Sequence, residues 1–305
     1  MDQHGHRTIG HTKRNPLLYL VFHASLQGYG DLRQGPTDTN GWYADPEARI
    51  FTSTYYIYPT YSAAYETQTF FDAFSSPDLL TWTKHPSILN LTAIPWSTNR
   101  AAWAPSVAQS LTGDYYMYFS AGDGAGIGVA KSTTGDPLGP FKDALGKPLV
   151  GKTVFGAEPI DAQVFRDEEG DQRVWLYFGG WSHAVVVELE QDMVTLKGEM
   201  REITPPGWGD GSYGVSYVTG SSPTGPFTNS STKILEGNEK VGMSTGHNSV
   251  FTPNGEDYYI VYHRRLVNDT ARDHRVVCID RMEFDSQGNI LPVVITTEGV
   301  QGVPL

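Results

Sequence analysis

The stretch "DPEARIFTSTYYIYPT" (45–60) decides the fold. It opens on a polar residue, runs through a short strand of alternating pattern, turns on polar residues, and returns as a strand rich in tyrosine. That is a β-hairpin read from period-two patterning. The same plan recurs in "APSVAQSLTGDYYMYFS" (104–120), "DAQVFRDEEGDQRVWLYFG" (161–179) and "HNSVFTPNGEDYYIVYH" (247–263). A second kind of segment follows the hairpins: a strand, a Ser/Thr/Pro turn, then an aromatic. It is clear in "QTFFDAFSSPDLLTW" (68–82), "GIGVAKSTTGDPLGPF" (126–141) and "GSYGVSYVTGSSPTGPF" (211–227), and looser in "HAVVVELEQDM" (183–193) and "HRVVCIDRMEFD" (274–285).

Small antiparallel sheets repeated along a chain leave faces that only neighbouring copies cover, and radial stacking of such units makes a β-propeller. The spacing predicts an all-β, five-bladed β-propeller with one blade incomplete. From 82 to 104, 141 to 161 and 227 to 247, roughly 20 residues separate an outer segment from the next hairpin. After the outer segment that ends near 190 a hairpin is due near 210, but "EITPPGWGDGSYGVSY" runs straight into an outer strand. The blade between about 190 and 227 therefore lacks its inner strands. Residues 41–305 read as a single propeller domain, and residues 1–40 as an N-terminal segment without a defined pattern.

Composition agrees with this class. The chain has 305 residues, with 33 Gly and 19 Pro to supply turns, and Tyr (17) outnumbers Phe (13). Its net charge of -12 is scattered, and there is no long basic run, so nucleic acid is not an expected partner. A single cysteine, Cys278, leaves no intramolecular disulfide and no Cys-rich zinc site. No stretch reaches the ~20 apolar residues of a membrane span. "NPLLYLVFHASL" (15–26) resembles a secretory h-region, yet His23 interrupts it and no A-x-A cleavage site follows. No signal peptide is expected, and the chain as it stands reads as cytoplasmic. A different N-terminus would make it extracellular, and Asn90, Asn229 and Asn268 head glycosylation sequons. Oligomeric state leaves no trace in the sequence.

In a propeller, the residues that open each inner hairpin converge on the central axis. Here they are Asp45, Trp103 to Pro105, Asp161 and His247. Two carboxylates brought together push their pKa values apart, and an indole offers a face on which a sugar ring stacks. An isolated Asp before Pro is ordinarily a turn former. Recurrence of Asp at one place in the repeat is what points to chemistry.

"WYADPEARIF", "AAWAPSV", "EPIDAQVF" and "TGHNSVF…YYIVYHRR", in this order and at blade spacing, resemble glycoside hydrolase family 43 from about residue 41 to 300. The resemblance implies a five-bladed propeller that hydrolyses arabinose-, xylose- and sometimes galactofuranose-containing glycans, so an oligosaccharide or polysaccharide is the expected partner. It implies Asp45 as the general base, Asp161 as the second aspartate, Trp103 in the sugar pocket and Arg264 in contact with substrate. It also implies His247 on the axis, where many members hold a hydrated calcium, with no cofactor required for the reaction. The chemistry would invert the anomeric centre, with carboxyl groups ~6.5–9.5 Å apart to admit a water.

Two departures stand out. The family's general acid is a Glu in an E-G-P motif, and no such motif occurs; its place falls in the gap between Thr204 and Asp210. Glu199 and Glu202 precede the gap, and Glu158 reads as a rim or turn residue. Upstream, "NPLL" (15–18) and "GWYADPE" are separated by residues 19–40, where relatives join them almost directly. The expected function is a glycoside hydrolase acting on terminal arabinofuranosyl or xylosyl residues of plant cell-wall glycans, impaired by loss of the acid. The alternative is a non-catalytic carbohydrate-binding propeller. A WD-type interaction propeller lacks its G-H…W-D pattern here, and fructan hydrolases lack their N-D-P-N-G opening.

Overall fold

A computed structural model describes residues 18–24, 41–122, 124–168, 170–205 and 213–305. Its strands form five small antiparallel sheets. Blade one is β2 (Tyr43–Phe51), β3 (Thr54–Tyr61), β4 (Phe70–Ser76) and β5 (Thr83–Asn90). Blade two is β6 (Ala102–Gln109), β7 (Tyr115–Ala121), β8 (Gly126–Ser132) and β9 (Phe141–Asp143). Blade three is β10 (Gln163–Arg166), β11 (Val174–Phe178), β12 (Val185–Leu189) and β13 (Leu196–Glu202). β14 (Gly214–Gly220) and β15 (Phe227–Leu235) belong to blade four. β16 (Gly246–Phe251), β17 (Tyr258–Arg264) and β18 (Val276–Met282) make blade five.

The second strand of each inner hairpin explains why the sheets form a ring. Successive strand residues point to opposite faces, and these strands are apolar on both. In β3, Tyr56 and Tyr58 pack with Met117 and Phe119 of blade two, while Tyr55 and Ile57 pack with Val261 and Ile279 of blade five. In β7, Tyr116 and Tyr118 turn instead to Val164 and Leu176 of blade three. In β11, Trp175 and Tyr177 meet Val218 of β14, and Val215 and Tyr217 of β14 meet Ile260 and Tyr262 of β17. Five apolar interfaces thus join five sheets, and the last returns to the first.

Blade four is completed from elsewhere in the chain. β1 (Leu18–Ala24) pairs antiparallel with β14, in register from Leu18↔Gly220 to Ala24↔Gly214. β14 is the outer-type strand that the sequence predicts after the gap. β1 therefore stands where the second inner strand would be. The sequence gives 1–40 no defined pattern, yet seven of its residues form a ladder. The added stretch upstream fills part of the space left by the missing hairpin. Among the described residues, no strand lies between β13 and β14. Thr245 Oγ1 and Asn248 Oδ1, at the inner edge of blade five, are buried with no hydrogen-bond partner among the described residues. Both belong to the blade that follows the incomplete one.

Candidate active site

The four hairpin openers share one backbone conformation. Asp45 (φ 46°), Ala104 (φ 41°), Asp161 (φ 56°) and His247 (φ 33°) all lie in the left-handed region, where side chains other than glycine are uncommon. In blades one, two and five the strand register slips at this point, between Ala44 and Glu47, Trp103 and Ser106, and Gly246 and Asn248. A bulge of this kind re-aims a side chain that regular pleating would bury between blades.

The openers of blades one, two and three are each held by the neighbouring blade. Asp45 N–H donates to His263 Nδ1 at 3.0 Å, Ala104 N–H to Thr60 Oγ1 at 2.8 Å and Asp161 N–H to Ser120 Oγ at 3.0 Å. His263, Thr60 and Ser120 all lie near the end of the second inner strand. Three residues past each of these three openers a second set repeats. Ala48 N–H donates to Ser249 Oγ (2.6 Å), Val107 N–H to the Glu47 carboxylate and Val164 N–H to Ser106 Oγ (3.1 Å). Buried Glu47 also accepts from Ser106 Oγ at 2.8 Å, Gln163 Nε2 at 2.9 Å and Arg49 at 2.5 Å, so one carboxylate joins three blades.

Asp45 faces one arginine and one buried imidazole. Arg275 donates to its Oδ1 at 3.3 Å, and His263 Nδ1 lies 3.2 Å from the same oxygen. Arg275 is itself fixed: its Nε donates to Ser62 Oγ at 3.0 Å, and its carbonyl accepts the Tyr43 N–H at 2.8 Å. Burial would raise the Asp45 carboxyl, but Arg275 foremost, with His247, overrides it and holds Asp45 well below the usual carboxylate range. His263 is fully buried, and loss of solvation pushes its pKa down to about 4. The neutral ring then accepts from Asp45 N–H at Nδ1. Its remaining proton, on Nε2, is shared with the Tyr213 hydroxyl at 2.8 Å. Burial, with Asp45 and Asp161 nearby, raises the Tyr213 phenol far above its ordinary value.

His247 connects the two aspartates. Its Nδ1 lies 3.6 Å from Asp161 Oδ2. Burial lowers the affinity of the imidazole for a proton, but Asp161 and then Asp45 outweigh it, so its pKa is raised. Asp45, Asp161 and His247 keep 13%, 29% and 18% of their side-chain surface, enough for solvent to reach each of them. Two carboxylates that start far apart in the chain thus act on one imidazole.

Trp103 stands beside this cluster, one residue before Ala104. Its indole N–H donates to Gln68 Oε1 at 2.6 Å, and its ring meets Tyr65 edge-on at 5.0 Å. Gly122 makes room for it, since a Cβ there would lie 2.7 Å from the indole. Trp42 stacks on His274 at 4.3 Å, three residues before Asp45 and next to Arg275. Arg264 is elsewhere. It is buried, and its guanidinium donates to the carbonyls of Val241 (2.6 Å) and Thr296 (2.8 Å). Strand alternation explains this: on β17, His263 faces the axial cluster and the next residue points the other way. The arginine at the cluster is Arg275.

Comparison with known proteins gives the arrangement a family. The sequence profile of "Glycosyl hydrolases family 43" matches residues 39–212 and 207–290. The chain belongs to glycosyl hydrolase family 43. Beta-D-galactofuranosidase xynD of Aspergillus niger is 66% identical over 292 residues, covering 86% of this chain and 85% of that protein. The solved structure of an alpha-L-arabinofuranosidase from Clostridium thermocellum superposes with a TM-score of 0.69 at 28% identity, covering 87% of this chain and 97% of that one. An arabinoxylan arabinofuranohydrolase from Bacillus subtilis, solved with cellotetraose, shares the fold with a TM-score of 0.72 at 24% identity, over 87% of this chain and 68% of that one.

The family 43 profile breaks at residues 207–212. The repeat spacing puts the absent inner hairpin at that place, and residues 206–212 lie outside the described part. Glu199 and Glu202 precede the gap, and Glu158 lies near the Asp161 opener. Glu202 pairs with His183 Nδ1 at 2.9 Å, Glu199 is exposed on β13, and Glu158 accepts the Trp181 indole N–H at 2.8 Å. A calcium ion takes six to eight oxygen ligands. Among the described residues no group of three or more His, Cys, Asp or Glu side chains is placed to hold a metal. His247 and Asp161 alone do not fill the shell of such an ion, and waters would supply the rest.

His263, Arg275 and Tyr213 escape the sequence reading. The signal for His263 is present, because "YYIVYH" ends where the repeat places Thr60 and Ser120. Arg275 and Tyr213 follow no repeat and join the site only through tertiary pairing.

Proposed function

We propose that this family 43 chain acts at the terminal sugar of a glycan, on arabinofuranosyl or xylosyl residues, by inversion and with Asp45 as the base. Support comes from one observation: Asp45 and Asp161, which open equivalent hairpins of different blades, both act on His247 at a solvent-reached mouth. Held ionised by Arg275, Asp45 takes a proton from water as the water oxygen attacks the anomeric carbon. The glycosidic C–O bond breaks on the opposite face. Asp161 is a positioning residue that fixes His247, and Trp103 supplies the apolar wall of the sugar pocket.

Departure of the leaving oxygen is the weak step. With no positioned carboxylic acid among the described residues the oxygen leaves as an anion, and such assistance is typically worth ~10²–10⁴-fold. Aryloxides depart readily and sugar alkoxides do not. Hydrolysis of natural glycosides is therefore slow and that of activated glycosides less affected. The name of the Aspergillus niger relative adds galactofuranosides to the substrates to be tried.

A second reading, a sugar-binding propeller without turnover, draws on the same missing acid. Nitrophenyl arabinofuranoside, xyloside and galactofuranoside, followed by proton NMR of the released sugar, separate the two. The enzyme reading expects inverted product from one of them and none from Asp45→Asn. Calorimetric binding of arabinose or xylose without product supports the binding module. Neither binding nor product removes both.

A further inference from the structure

The anchors of the first three openers differ in kind. Thr60 Oγ1 and Ser120 Oγ, which hold Ala104 N–H and Asp161 N–H, are hydroxyls, and a hydroxyl oxygen accepts whichever way its proton turns. The anchor of Asp45 is an imidazole. A neutral imidazole accepts at Nδ1 in only one of its two tautomers, the one with its proton on Nε2. Blade one therefore needs a group that selects the tautomer, and blades two and three do not.

Tyr213 is placed to select it. Its hydroxyl lies 2.8 Å from His263 Nε2. The ring centroids are 6.2 Å apart and the planes 31° apart, so the two rings meet through the hydroxyl and not face to face. His263 is 0% exposed, which leaves its Nε2–H to a protein acceptor instead of bulk water. β14 brings the phenol here. Val215 and Tyr217 pack with Ile260 and Tyr262 of β17, and Tyr213, two residues before Val215, reaches the end of that strand, where His263 stands. β14 is an outer-type strand. Among the described residues no inner strand lies between β13 and β14, and the segment that opens β14 supplies the contact itself.

We propose that Tyr213 is a positioning residue: by accepting from His263 Nε2 it fixes the tautomer whose Nδ1 holds the Asp45 backbone, and so aims the base. Its kinetic consequence rests on the function proposed above, and its structural half is read without turnover. Tyr213→Phe takes this acceptor from a buried N–H. The proton then moves to Nδ1, where it faces Asp45 Oδ1 at 3.2 Å and no longer admits the Asp45 N–H.

Proton–nitrogen correlation NMR of histidine-labelled protein, with His263→Asn to assign the signal, reads the tautomer directly. At pH 7 the parent should carry the proton on Nε2, and Tyr213→Phe should carry it on Nδ1 or show a mixture. With a nitrophenyl glycoside, Tyr213→Phe should lower kcat about 10-fold and leave KM within about twofold. In His263→Thr, which copies the anchor of blade two, adding Tyr213→Phe should have no further effect on kcat. A parent with its proton on Nδ1 overturns the proposal. So does a Tyr213→Phe chain with the parent tautomer or the parent kcat, or an equal loss of kcat in the His263→Thr background. A parent without turnover overturns the function proposed above, and the tautomer of the parent and of Tyr213→Phe still decides the pairing.

Discussion

Asp45 shows how one residue is prepared by its surroundings. The left-handed bulge aims it, the His263 ring holds its backbone, and Arg275 holds its charge. Removing the cation takes away the largest lowering influence, so Arg275→Met raises the Asp45 pKa. The acid limb of the pH profile for an activated glycoside then moves to higher pH than in the parent. An unmoved limb would mean that Arg275 does not set the charge of Asp45. His263 bears on stability with the opposite proton balance to a paired histidine. Its folded value of about 4 lies below the ordinary 6.5, so the unfolded chain takes up the proton first. The stabilisation is full above pH 6.5 and is lost as pH falls towards 4, in total roughly 3 kcal/mol. Urea unfolding from pH 8 to 4 reads this directly, and His263→Asn should flatten the curve over that window.

At the scale of elements, equivalent positions in successive hairpins build both the core and the ring of bonds around the axis. Glu47 is the densest node, accepting from β2, β6 and Gln163 of β10. Glu47→Ala leaves buried donors of three blades without an acceptor and should cost about 3 kcal/mol or more, read as a lower urea midpoint. The hairpins and the shared place of Asp45, Asp161 and His247 were legible in the sequence because alternation and repeat spacing are local signals. β1 was not. A strand whose partner lies far along the chain, and whose register is set by pairing with β14, leaves no periodic mark of its own. The pairing predicts that Leu20→Pro with Val21→Pro, opposite Val218 and Tyr217, removes a ladder hydrogen bond, since one of two successive residues faces β14, and bares its edge. Lower stability and concentration-dependent association are expected by light scattering, and parent-like behaviour would deny β1 its place in blade four.

For the whole molecule, the question is what a propeller does when one blade loses its inner hairpin. Five apolar interfaces still close the ring, so the cluster that depends on blades one, three and five is assembled. The expected acid belongs to blade four, where residues 206–212 lie outside the described part. Base and acid are carried by different blades, so loss of one leaves the geometry of the other intact. That independence was half visible beforehand: the gap could be counted, but the grouping of Arg275, His263 and Tyr213 depends on contacts that no local pattern encodes.

The most direct measurement is the rate of hydrolysis along a series of aryl and alkyl arabinofuranosides whose leaving groups differ in acidity. An intact Asp45 base without a proton donor predicts a steep fall in rate as the leaving group becomes more basic, with activity on activated members lost in Asp45→Asn. A nearly flat series, with alkyl arabinofuranosides cleaved as fast as nitrophenyl ones, would contradict it and require a proton donor within the pocket.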